Sequence, residues 1–118
     1  MRSSLIINRS GPHSTPAARD ALDAALASAA FGVQVGLLFI DDGVFQLLKT
    51  QNPEAAGLKG FTGIFESLPL YDVDRIFAAE SALAARGLAP NDLVIPVQAV
   101  SKADIQALLN QYDNLLTF

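Results

Sequence analysis

The chain has 118 residues, and its 8 basic and 12 acidic side chains give a net charge of −4. This length suits a single domain, residues 1–118, with a core that needs neither disulfides nor a structural metal. The absence of cysteine excludes thiol nucleophiles, persulfide carriers, thiolate zinc sites and iron–sulfur clusters, and the single histidine excludes two-histidine metal motifs.

The N-terminal part of the sequence predicts a strand and then a helix. The apolar run Leu5–Ile7 is too short for a signal peptide, and no segment has the roughly 20 apolar residues of a membrane span. We therefore expect a cytoplasmic protein with no membrane contact. Thr15 can cap the following helix and Pro16 suits its first turn, while Gly32 can end it. One face of this helix is apolar: Ala18, Leu22, Ala25, Leu26 and Ala29.

The middle of the chain is less regular. The run Val35–Ile40 predicts a second strand, followed by a turn at Asp41–Gly43 and a short helical turn over Val44–Leu48. A further helix is predicted over Phe61–Leu68, because the proline that follows it disfavours helical backbone in the preceding residue.

Two more strands and two more helices follow, before a strand at the edge of the sheet. The apolar runs Ile76–Ala79, Leu93–Val97 and Leu115–Phe118 predict the strands. A helix over Ser81–Arg86 ends at a glycine, and the last helix begins at Ser101 with a variant of the capping box. This last helix presents four apolar side chains on one face: Ile105, Leu108, Leu109 and Tyr112.

The apolar runs are continuous rather than alternating, which is typical of parallel strands covered by helices on both faces. The predicted fold is a three-layer α/β/α sandwich with a five-stranded, mainly parallel sheet in the flavodoxin-like order. In such folds, ligands bind at the carboxyl ends of the strands.

Three chemical interpretations of these strand ends are open. The loop Ser10–Thr15 precedes a helix N-terminus and suits an anion, but it carries neither glycine-rich phosphate motif. Asp41 and Asp42 are hard oxygen ligands for magnesium, although a structural turn explains them more simply. His13 with a carboxylate suggests acid–base chemistry, but nothing in the spacing brings them together. We therefore expect no cofactor, no metal and no independent enzymatic activity.

The composition points to partner chains. Hydrophobic residues make up 51% of the sequence, and charged residues only 17% where about 25% is usual. The simplest explanation is that part of the surface lies against another protein, and the alternative is an ordinary alanine-rich domain. The negative net charge argues against direct nucleic-acid binding, which requires clustered basic residues.

The whole sequence resembles the TusC/DsrF family of the DsrE-like superfamily. The most specific piece is the string Phe39–Leu48, with its Asp-Gly-Val core followed by Gln-Leu. The other segments that carry the resemblance are residues 12–15, 18–24, 70–72, 86–88 and 112–118.

The resemblance implies a DsrE/DsrF-like fold and a non-catalytic, TusC-like subunit of a sulfur-relay complex. Its partners would be TusB-like and TusD-like subunits in a dimer of heterotrimers, passing persulfide sulfur through a TusE-like acceptor toward 2-thiouridine at the tRNA wobble position. A DsrF-like role in sulfur oxidation remains an alternative. So does a stand-alone domain that binds a small ligand through the Ser10–Thr15 loop.

The resemblance also locates the sites. The cysteine that bears sulfur in TusD-like proteins falls near Ala79 of this chain, where alanine cannot form a persulfide. We therefore expect no catalytic residue here. Aromatic side chains near loops are common in protein interfaces. For Phe45 and Leu70, packing in the core of this chain explains the residue type at least as well. The candidate partner contacts are Asp42, Gly43, Val44, Phe45, Gln46, Leu70 and Tyr71.

Overall fold

The structure is a computed structural model that describes residues 3–9, 17–47, 68–73, 75–93 and 95–118. In these ranges, five strands form a single sheet: β1 Ser3–Asn8, β2 Gln34–Phe39, β3 Arg75–Ala79, β4 Gln98–Val100 and β5 Asn114–Thr117. The α-helices among the described residues are α1 Ala17–Ala30, α2 Glu80–Ala85 and α3 Lys102–Gln111, and shorter 3-10 helices span Asp41–Leu47, Leu68–Tyr71 and Pro90–Asp92. None of the described helices is long and apolar enough to cross a membrane.

The strand order is β4-β3-β2-β1-β5, and every pairing is parallel. From β1 to β4 the chain always steps in one direction, and it then returns across the sheet to place β5 beside β1. Because parallel crossovers are right-handed, this reversal puts α1 and α2 on one face and α3 on the other. The core follows this division: Leu22 and Leu83 belong to one apolar cluster, and Leu108 belongs to a second one.

The predicted α/β sandwich with five strands is confirmed, but its flavodoxin-like strand order is wrong. That order is 2-1-3-4-5, with β1 between β2 and β3, whereas here β1 lies between β2 and β5. Continuous apolar runs show that a strand is covered on both faces. They carry no information on which neighbour it pairs with, and this explains the error.

The fourth predicted strand is displaced. The apolar run Leu93–Val97 was expected to form it, but β4 is Gln98–Val100. Pro96 lies inside the apolar run and has no N–H to donate to the sheet. Leu93 is buried, and Ile95 and Val97 pack against the same cluster, so these three residues contribute to the core outside β4.

The helix signals agree well with the structure. Gly32 and Gly87 follow α1 and α2 with φ values of +81° and +65°, a backbone conformation that favours glycine. Ser101 caps α3 in a capping box, because its hydroxyl accepts from the Asp104 N–H and the Asp104 carboxylate accepts from the Ser101 N–H. The predicted helix caps at Thr15 and Pro16 lie outside the described residues.

The segment after β2 forms one continuous 3-10 helix, Asp41–Leu47, where a turn followed by a helical turn had been predicted. Asp41 begins it with a φ of 49°, which an aspartate tolerates better than most residues. Apart from Leu68, the predicted helix Phe61–Leu68 lies outside the described residues. Leu68 itself is buried and begins the next 3-10 helix, Leu68–Tyr71.

Candidate functional site

The carboxyl ends of β3 and β4 are the point at which the connections of the sheet change sides. These neighbouring strands lead into helices on opposite faces of the sheet, β3 into α2 and β4 into α3. Sites in open α/β sheets form where adjacent connections diverge in this way. Ala79 and Val100 are paired in register at this point, and both side chains are buried.

Ala79 is the residue that caps the N-terminus of α2, and no side chain makes a capping hydrogen bond there. A thiol at a helix N-terminus is stabilised as the thiolate, because the unpaired N–H groups and the helix dipole favour negative charge. The alanine methyl group supplies no such chemistry. The hydroxyl of Ser101, the residue that follows β4, accepts a hydrogen bond in the capping box of α3. In this chain, therefore, the end of β3 offers no nucleophile at Ala79.

Arg86 joins the two segments that follow β2 and β3. Its Nη2 and Nε donate to Oδ1 of Asp42 at 2.9 and 3.2 Å, and its Nη1 donates to the Ala82 carbonyl at 3.2 Å. The guanidinium also lies 5.7 Å from the centre of the Phe45 ring, within the range of a cation–π contact. The arginine thus holds the 3-10 helix Asp41–Leu47 against α2.

We expect Arg86→Ala to lower the free energy of unfolding by about 1–2 kcal/mol, because it removes a charge-assisted hydrogen bond, a ring contact and packing by the side-chain stem. The arginine side chain is only 22% exposed, whereas that of Asp42 is 65% exposed. Asp42→Asn should therefore cost less than about 0.5 kcal/mol. Urea unfolding of the two variants at low and high salt checks this. Equal losses of unfolding free energy in the two variants would mean that Arg86 stabilises the fold through its ion pair with Asp42 alone.

The predicted partner contacts after β2 are only partly at the surface. Gly43, Val44 and Gln46 are buried within the chain, so these three residues have no side-chain surface to offer a partner. A 3-10 helix of this length must bury one side against the sheet, and the sequence string does not show which side. Asp42 is exposed and Phe45 is half-buried beneath Arg86, so these two remain available.

Leu70 and Tyr71 lie at the opposite, amino end of the strands, just before β3. The Leu70 side chain is 85% exposed, and that of Tyr71 is also exposed. Because β2 has six residues at about 3.3 Å each, roughly 20 Å separates them from the Asp42 region. The structure thus divides the candidate contacts between two ends of the sheet rather than bringing them together.

The sequence interpretation missed Phe31, which is 88% exposed in the turn after α1. A cavity of about 240 Å³ lies beside it, lined in part by Gly32 and Asp72. These two lining residues directly follow Phe31 and Tyr71 in the chain, so the turn after α1 and the segment before β3 meet at one cavity. The sequence did contain a signal for this. Phe31 does not fall on the apolar face of α1, and a large apolar side chain outside that face cannot reach the core.

The other predicted site residues do not assemble in the described part of the chain. The Ser10–Thr15 loop, including His13, lies outside the described residues. Asp41 is exposed and faces Arg9 at a nitrogen–oxygen distance of 3.9 Å, a surface pair that contributes little. Within the described ranges there is no group of three acidic or histidine side chains placed to hold a metal ion.

Comparison with known proteins is consistent across nearly the full chain. The profile of the DsrE/DsrF-like family matches residues 2–118. A protein named "Protein TusC homolog" from Pseudomonas aeruginosa is 40% identical over 116 residues, which is 98% of each chain. Another of the same name from Aliivibrio fischeri is 40% identical over 110 residues, or 93% of each chain.

Solved structures share the fold. The crystal structure of the ychN protein from E. coli superposes with a TM-score of 0.86 at 19% identity and covers 100% of both chains. A protein of unknown function from Methanobacterium thermoautotrophicum superposes with a TM-score of 0.74 at 16% identity, covering 99% of this chain and 98% of that one. At these identities the likeness shows the fold alone.

Proposed function

This chain belongs to the DsrE/DsrF-like family, and we propose that it is a non-catalytic, TusC-like subunit of a TusBCD-type sulfur-relay complex. In this role it supports persulfide transfer in the cytoplasm, through a TusE-like acceptor, for 2-thiouridine synthesis at the tRNA wobble position. It would contact TusB-like and TusD-like subunits and not the tRNA itself.

The observation that carries the proposal is the alanine at the end of β3. The family resemblance places the sulfur-bearing cysteine near Ala79, at a helix N-terminus that would favour a thiolate, yet the chain has no cysteine. A chain built in this way cannot carry sulfur on its own side chains. Its contribution to a relay must therefore come from contacts with subunits that do.

The exposed side chains support a role in assembly. Asp42 and Phe45 offer contacts at the carboxyl end of the strands, while Leu70, Tyr71 and Phe31 are exposed at the amino end. Exposed aromatic and leucine side chains of this size are typical of interface centres. Two separate surfaces suit a subunit that has two different neighbours.

We expect the chain to co-purify with TusB-like and TusD-like proteins as a stable hexamer when the three are co-expressed. Leu70→Arg should remove it from the complex or lower its share at least about tenfold, because a charge would be buried against the partner. Ala27→Arg, on the exposed face of α1, is the matched control and should assemble normally.

Size-exclusion chromatography with light scattering reports the result. A wild-type chain that elutes apart from both partners would contradict the proposed function. The genes beside it separate the two pathways: a TusE-like neighbour favours tRNA thiolation, and sulfite-reductase genes favour sulfur oxidation.

A further inference from the structure

Asp42 and Gly43 form a dipeptide that can change its own backbone. In the whole sequence, no other aspartate or asparagine is followed directly by a glycine. The glycine nitrogen of such a dipeptide can attack the aspartate Cγ, and glycine has no Cβ that would shield the nitrogen. The product is a five-membered succinimide ring, which water reopens to aspartate or to isoaspartate.

The folded chain holds both residues away from ring closure. Nη2 and Nε of Arg86 both donate to Oδ1 of Asp42, at 2.9 and 3.2 Å, and this contact turns the carboxylate toward α2. The Gly43 N–H donates to the Ile40 carbonyl at 2.9 Å, so the attacking nitrogen is also engaged. A Cβ on Gly43 would collide with the Asn8 carbonyl, which means that the glycine backbone lies directly against β1.

The two residues differ in their access to solvent. The Asp42 side chain is 65% exposed and that of Arg86 is 22% exposed, whereas Gly43 is buried. Water therefore reaches the carboxylate in the folded chain, but the Gly43 nitrogen becomes available only when the start of the 3-10 helix opens. Because opening must precede the reaction, the rate follows the population of the open segment.

We propose that Asp42–Gly43 is a site of spontaneous succinimide formation, and that Arg86 limits the reaction by keeping this segment closed. The Gly43 nitrogen bonds to Cγ of the protonated Asp42 carboxyl group, whose hydroxyl leaves with the amide proton as water. A second water molecule then breaks one of the two C–N bonds of the ring. Breaking the bond to the backbone carbonyl carbon gives isoaspartate. This chemistry does not depend on the proposed sulfur-relay role.

Incubation of the full chain in heavy-oxygen water tests the proposal, because each cycle of closure and hydrolysis leaves one heavy oxygen atom on residue 42. Digestion in ordinary water and mass spectrometry of the peptide with residues 42–43 measure the rate, and chromatography separates the isoaspartyl form. Arg86→Ala should raise the rate about 5- to 30-fold, because the lost contacts stabilise only the closed segment. A rate equal to that of the natural chain would overturn the proposal.

Two variants separate local opening from unfolding of the whole chain. Leu108→Ala removes a buried side chain from the cluster beneath α3, on the other face of the sheet, and should leave the rate unchanged. A rise as large as that in Arg86→Ala would show that global unfolding controls the reaction and that Arg86 has no specific role. Asp42→Glu should take up no label at residue 42, because a glutamate would have to close a larger ring.

Arg86→Lys provides a milder test with less risk to folding. Lysine keeps the positive charge but lacks the planar group that donates twice to Asp42. Its rate should lie between those of the natural chain and Arg86→Ala. A rate in Arg86→Lys above that in Arg86→Ala would contradict the protective role of the arginine.

Discussion

Replacing Phe39 by alanine is expected to lower the free energy of unfolding by about 3–5 kcal/mol. The ring is 1% exposed at the end of β2, in the cluster beneath α1 and α2, and the removed volume cannot be refilled by a close-packed sheet. Domains of this size have a free energy of unfolding of about 5–15 kcal/mol, so the variant loses a large part of that stability.

Phe31→Ala is the matched control for this experiment. It deletes the same ring from a position that is 88% exposed, and it should change stability by less than about 0.5 kcal/mol. Urea titration followed by circular dichroism measures both variants. If the two lost similar stability, the core placement of Phe39 would be wrong. Phe31→Ala should instead weaken assembly with the proposed partner subunits, since exposed aromatic rings are typical of interface centres.

Replacing Gly43 by alanine is expected to cost about 3 kcal/mol, the next largest effect. A Cβ at this position would collide with the backbone carbonyl of Asn8, at the end of β1. That carbonyl cannot easily move, because it accepts a hydrogen bond from the Ile40 N–H at 3.0 Å. Asn8 is itself buried, and its amide donates to the Ile6 carbonyl.

Gly87→Ala separates this steric effect from the general cost of losing a glycine. Gly87 has a positive φ of 65°, but a Cβ there would meet no atom within 4 Å. We expect a loss of about 1–2 kcal/mol from backbone conformation alone. Thermal unfolding measures the loss of stability in both variants. A smaller loss for Gly43→Ala than for Gly87→Ala would show that the backbone around Asn8 shifts at little energetic cost to make room for the new Cβ.

The sequence predicted helix ends most accurately, because these depend on a few neighbouring residues. The capping box of Ser101 and Asp104 and the glycines after α1 and α2 were predicted correctly, because each depends only on neighbouring residues. Pairing between strands depends on distant parts of the chain. The order of the sheet and the position of β4 were therefore predicted wrongly, although the apolar runs themselves were identified.

The candidate site shows the same limit. The family resemblance directed attention to Ala79 at the end of β3, and to the string after β2. It could not show that Val44 and Gln46 face inward, since burial of a short helix depends on the direction from which it packs. Nor could it show that Arg86 bridges to Asp42, 44 residues away in the sequence, because that contact exists only once α2 and the 3-10 helix are in place.

The pairing of β1 with β5 has a consequence for how the protein is made. β1 is synthesised before the other strands of this sheet, yet one of its two neighbours comes last, and the Ser3–Asp113 hydrogen bonds span 110 residues. Until β5 is synthesised, one side of β1 has no strand to bind, and the cluster that holds its Leu5 and Ile7 side chains also waits for Leu108 of α3. During translation, this unpaired side is the place where the growing chain is most exposed to aggregation.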